Sequence, residues 1–154
     1  MTLGFFLSFI GLCFAFVNGV IVPWLITRAS AHKIMVGGLL VLTAGRAMIG
    51  AAHSLPVLLF ADVLVALGGA TSGSVLPSLF SVEAPPGGVG TLLGFGQSVH
   101  SAAGVVGPIA SGVLFERLGS GAPAFAAAAL CLTSCVLFVA LVPAETGSKK
   151  SKLE

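Results

Sequence analysis

Between Leu3 and Thr27 no residue carries a charge, and a run of that length fits lipid better than water. A hydrocarbon core of roughly 30 Å is crossed by about 20 consecutive apolar residues in a helix. Helices and closed barrels are the structures that satisfy their own backbone polar groups there. Four further runs follow, at Ile34–Ala52, Pro56–Ser81, Gly90–Phe115 and Pro123–Val142. The expected fold is an all-α integral membrane protein with five transmembrane helices. Composition agrees: 56% of the chain is hydrophobic and 8% charged, against about a quarter charged in soluble domains. The connectors RASAHK, HSL, VEAPPGGV and ERLGSGA are short and rich in turn formers. A polar tail occupies 143–154. The first run has no basic residue before it and no small-residue processing site, so it reads as a span and not as a leader.

The same counts exclude several functions. A formal charge of +2 built from few residues leaves no basic face for nucleic acid. Cys13, Cys131 and Cys135 lie inside apolar runs with no C-x-x-C pair, so they read as small apolar filler; no metal site and no cofactor are expected. There is no G-x-S-x-G elbow, no phosphate-loop G-K-[ST], no H-E-x-x-H and no carboxylate pair within one span, so no enzyme is expected.

An odd number of spans puts the chain ends on opposite sides. Arg28, Lys33, Lys149, Lys150 and Lys152 share one side, which the positive-inside rule makes cytoplasmic; Arg117 lies on the other. The N-terminus then faces outside or a lumen, and Trp24 marks the cytoplasmic interface. In KKSKLE the lysines read either as a contact with anionic membrane lipid or as a K-x-K-x-x retrieval address.

Ionisable residues inside spans are rare because each costs about 2.5–3.5 kcal/mol at a helix centre on insertion scales. Arg46 and Asp62 flank the His53-Ser54-Leu55 turn at similar depth, roughly 10 Å from it. An intramembrane ion pair, a proton or cation site at Asp62, and snorkelling to the interface are the three readings. Asn18 is a candidate cavity contact. In GQSVHSAAGVVGPIASG, residues 96–112, three-to-four spacing puts Gly96, Gln97, His100, Gly104, Gly107 and Ser111 on one small, polar stripe expected to face protein or water. His100 is either a packed, hydrogen-bonded ring or part of a substrate or proton pathway with Gln97 and Ser101. Gly69–Gly73 and Gly90–Gly94 are G-x-x-x-G pairs suited to close helix packing, and Gly104, Gly107 and Pro108 to bending.

The stretch Leu67 to Gly119 resembles helices ten and eleven of the major facilitator superfamily. The resemblance is carried by Gly68, Gly69, Gly73 and Pro77, then VEAPPGGVG, Gly90–Gly94 and Gly107-Pro108. It is most similar to the tetracycline-resistance and drug:proton antiporter branch, where the Gly-Pro of helix eleven is the symmetry mate of the helix-five antiporter motif. Asn18 to Gly38 is similar to the helix-eight to helix-nine loop, but lacks the acidic residue before Arg28 and the glycine between Arg28 and Lys33. The gating ion pair of that motif is therefore not carried over.

On this likeness, residues 1–154 are a partial C-terminal bundle, helices eight to twelve of a twelve-helix fold, without the N-terminal helices. The resemblance implies transmembrane transport: proton-coupled exchange of a small organic solute in the full-length protein, with this fragment inactive alone, because substrate binds between two halves. The alternative is a non-transporting membrane protein that assembles with or regulates a partner through its glycine-rich faces.

Overall fold

The computed structural model describes residues 2–83, 85 and 87–142. The polar tail at 143–154, its cytoplasmic placement and its lysines fall outside the described residues. Helices α1 (Thr2–Phe16), α2 (Val22–Ile26), α3 (Ala31–Gly50), α4 (Leu55–Glu83), α5 (Val89–Leu118) and α6 (Ala122–Leu141) build the fold. A π-helical turn, Val17–Ile21, joins α1 to α2 into one span. Among the described residues, five helices are long and apolar enough to cross a membrane: Leu7–Ile26, Ala31–Gly50, Leu55–Ser81, Val89–Leu118 and Ala122–Leu141. The all-helical expectation holds. With 29 and 30 residues, α4 and α5 are about 44 Å long at 1.5 Å per residue. They must tilt or project beyond a core of roughly 30 Å.

Local chemistry sets the helix ends. Gly87 has φ +82° and Gly119 φ +94°, a left-handed backbone that side chains disfavour, and each stands beside an end of α5. Pro56 and Pro123 occupy the first turns of α4 and α6, where the missing N–H has no intrahelical partner to lose.

Three prolines lie deeper in the spans. A proline within a helix leaves the carbonyl four residues earlier without its donor and crowds it with the ring. That residue is glycine every time: Gly19 for Pro23, Gly73 for Pro77 and Gly104 for Pro108. None of these glycines has another atom within 4 Å of where a Cβ would stand, so none of them is a close-approach point between helices within this chain. α4 and α5 run unbroken through Pro77 and Pro108. In the first span the π turn ends immediately before Pro23, with Val22 N–H donating to the Val17 carbonyl.

Helix α3 is the centre of the bundle, held along its length by α4 on one side and α6 on the other. At the Lys33 end, Ile34, Met35 and Leu39 pack with Val75 and Leu79 of α4 and Cys135 of α6. His32 closes the same end: its Nε2 lies 3.0 Å from the Val142 carbonyl oxygen and its ring 5.1 Å from that of Phe138. At the opposite end a Cβ on Gly121 would stand 2.6 Å from the Gly50 carbonyl, and one on Gly50 would stand 2.9 Å from the Phe125 ring. The first span packs on α4 through Val17, Val22 and Ala70.

Candidate functional site

Two polar places and one uncovered helix make up the candidate site. The first place is the π turn. Its Asn18 side chain donates from Nδ2 to the Phe14 carbonyl at 3.0 Å and accepts at Oδ1 from the Ser74 hydroxyl at 3.1 Å. Asn18, expected as a cavity contact, is thus tied to α4. Ser74 was not singled out by sequence reasoning, because a serine in a glycine-rich span has no distinguishing pattern. The π turn has a signal in hindsight: an asparagine followed by a glycine four residues before a proline. Such single-turn widenings occur often at functional positions.

The second place is the half of the α3–α4 hairpin nearer its turn. Arg46 and Asp62 are both half-buried, and the guanidinium acts electrostatically on Asp62 and on Cys131 of α6. The structure therefore brings the two charges to one region. It does not join them directly: Arg46 Nε and Asp62 Oδ2 are each buried without a hydrogen-bond partner among the described residues. Seven and eleven residues beyond Asp62, on the same flank of α4, stand Gly69 and Gly73. At neither does another atom lie within 4 Å of where a methyl group would stand, so the flank is open at these two positions, whereas Ala66 on the same face is buried.

The uncovered helix is α5. It has no buried residue, and residues 97–110 are exposed throughout, including Gln97, His100, Ser101, Gly104, Gly107 and Pro108. Among the described residues, the stripe expected to face protein or water is covered only at Gly96, which lies against the Phe80 ring, and in part at Ser111. The structure does not bring His100 into contact with Asp62 or Asn18 among the described hydrogen bonds.

Within this chain Gly69, Gly73, Gly90 and Gly94, expected to pack helices closely, meet no described neighbour and have open space where a side chain would be. Close approach occurs instead at Gly38, Gly45 and Gly68 along the α3–α4 seam. A Cβ on Gly68 would meet Leu42 N at 2.5 Å, and one on Gly45 would meet Val65 N at 2.9 Å. Ala61, fully buried, extends the same seam. A seven-residue repeat of small residues was the available signal.

A profile of the Major Facilitator Superfamily matches residues 1–154. The chain belongs to the Major Facilitator Superfamily. No curated protein and no solved structure matches it. Members of this superfamily are transporters and not enzymes, so the major-facilitator chain described here is a transporter-type, multi-pass membrane protein. Among the described residues no group of three or more His, Cys, Asp or Glu side chains is placed to hold a metal ion.

Proposed function

We propose that this chain supplies helices eight to twelve of a secondary transporter of the drug:proton antiporter type, exchanging a small organic solute for protons. The observation that supports this reading is α5: a transmembrane helix with no buried residue, presenting Gln97, His100 and Ser101 along an exposed stretch. A histidine, an amide and a hydroxyl are expensive to leave in hydrocarbon, and such groups in spans usually line water or meet protein. Further helices of the transporter, seated against α5 and the Asp62–Gly73 flank of α4, would enclose them. His100 then carries the exchanged proton, Gln97 and Ser101 supply uncharged hydrogen bonds, and Gly104 with Pro108 gives the helix a place to bend.

The test compares two reconstitutions in proteoliposomes carrying an imposed pH gradient. The chain alone is expected to show no saturable solute uptake, because the site needs both halves. The complete transporter is expected to show it, with His100→Gln reducing uptake at least tenfold and flattening its pH dependence. Robust uptake by the chain alone, or unchanged transport by His100→Gln, would overturn the respective claim.

The reading also orients the protein, with Arg28 and Lys33 in the cytoplasm. A cysteine placed at Lys33 should react with a membrane-impermeant maleimide only after the cytoplasmic face is opened. One placed at Arg117 should react in intact cells. The reverse pattern would invert the topology.

A further inference from the structure

Beside the α3–α4 seam lies a cleft of ≈ 320 Å³ between the first span, α3 and α4. Ile21 and Leu25 form one wall, Val41 and Leu67 the others, and Gly37 leaves a gap in the lining. Among the described residues Lys33 is the one charge along it, and its side chain is exposed on the first turn of α3. Thr71 also lines the cleft, but its hydroxyl is engaged locally, donating to the Leu67 carbonyl at 2.6 Å. The cleft is thus an apolar slot with a single cation at its mouth.

Its length fits one leaflet. Lys33 and Val41 are two turns apart on α3, about 12 Å at 1.5 Å per residue. Half of a hydrocarbon core of roughly 30 Å is about 15 Å. The slot runs from the interface, where Arg28 stacks on Trp24 with its guanidinium carbon 4.8 Å from the ring centre, toward the bilayer middle. A small polar solute finds no free hydrogen-bonding partner along such walls. A purely apolar molecule leaves the ammonium unused.

We propose that this cleft binds an anionic phospholipid, one acyl chain lying in the slot and the phosphate on the Lys33 ammonium. Lysine engages phosphate as a point charge without demanding bidentate geometry. A lysine at a bilayer surface favours anionic lipid by an amount that corresponds to about a fivefold preference. The site stands apart from the transport reading, since none of Asn18, Asp62, Gln97, His100 and Ser101 lines it.

The test is native mass spectrometry of the full chain in detergent, titrated with dioleoylphosphatidylglycerol or with dioleoylphosphatidylcholine. A single phosphatidylglycerol adduct is expected, retained about fivefold more strongly than phosphatidylcholine. Lys33→Gln should erase that preference, while Arg28→Gln, outside the cleft, should preserve it. Gly37→Leu should displace both lipids: Gly37 lines the cleft and nothing lies within 4 Å of its Cβ position, so the added side chain has room at its root. A thermal midpoint within a few degrees of the parent's confirms that each variant is folded. Equal retention of the two lipids would overturn the proposal, as would an Arg28→Gln loss matching that of Lys33→Gln, which means diffuse attraction to a basic end. So would a Gly37→Leu variant that binds normally, or full competition by inorganic phosphate, which means a simple anion site.

Discussion

Gly68→Ala is expected to destabilise the bundle severely, whereas Gly69→Ala, one residue along, is expected to leave it intact. A methyl group on Gly68 would stand 2.5 Å from Leu42 N and 2.6 Å from the Gly38 carbonyl oxygen. Both are backbone atoms, so no rotamer change relieves the contact and α3 must move away from α4. Overpacking of this kind typically costs about 1–3 kcal/mol, occasionally more, which is about 2–12 °C in melting midpoint for a chain of this size. The shift also spreads, because α3 carries the packing of α6 at both of its ends. On Gly69 the same methyl group meets nothing within 4 Å, and alanine improves helix propensity by up to about 1 kcal/mol. The midpoint of each purified variant in detergent decides the matter. Equal behaviour of the two would show that the α3–α4 seam does not run through Gly68.

The pair also marks where the sequence stops being informative. Hydropathy revealed five spans because length and apolarity are properties of a run and need no neighbour. It did not reveal rotation. α4 and α5 are apolar nearly all round, so no amphipathic face says which side meets which helix. Spacing then tempts one to pair Gly69 with Gly73. Gly73 sits four residues before Pro77 and faces open space within this chain, while the seam runs through Gly68, one residue before Gly69. Gly104 and Pro108 repeat the arrangement in α5. A glycine near a proline and a glycine against a neighbour look alike in a sequence.

Long-range polar contacts were equally hidden. His32 and Val142 are far apart along the chain, and their 3.0 Å contact depends on α6 lying antiparallel beside α3. Asn18, within the π turn, and Ser74 of α4 meet across two spans, a pairing that depends on how the first span lies against α4. The family, by contrast, was legible through Leu67 to Gly119, since the order of glycines and prolines survives without any knowledge of contacts.

Asp62→Asn is expected to reduce folded yield strongly, and Arg46→Gln combined with Asp62→Asn to restore part of it. Both charges are half-buried in spans, and Arg46 Nε and Asp62 Oδ2 lack hydrogen-bond partners among the described residues. At an effective dielectric of about 20, unit charges about 4 Å apart attract by about 4 kcal/mol. The attraction falls inversely with distance, so a pair further apart than this keeps a smaller share. Neutralising one member leaves the other charge uncompensated in a poorly solvated place, a loss of about 3–5 kcal/mol when burial is complete and less here, where each side chain is partly exposed. Neutralising both removes the penalty together with the attraction, so the double variant should be more stable than the sum of the singles predicts. Folded yield and melting midpoint of the four proteins form the cycle. Transport by the complete assembly separates the remaining possibilities. If Asp62→Asn folds normally but abolishes pH-driven exchange, the carboxylate is a proton site and not a structural partner of Arg46. If it folds normally and transports normally, the two charges are independent, and their common depth in the hairpin has no energetic consequence.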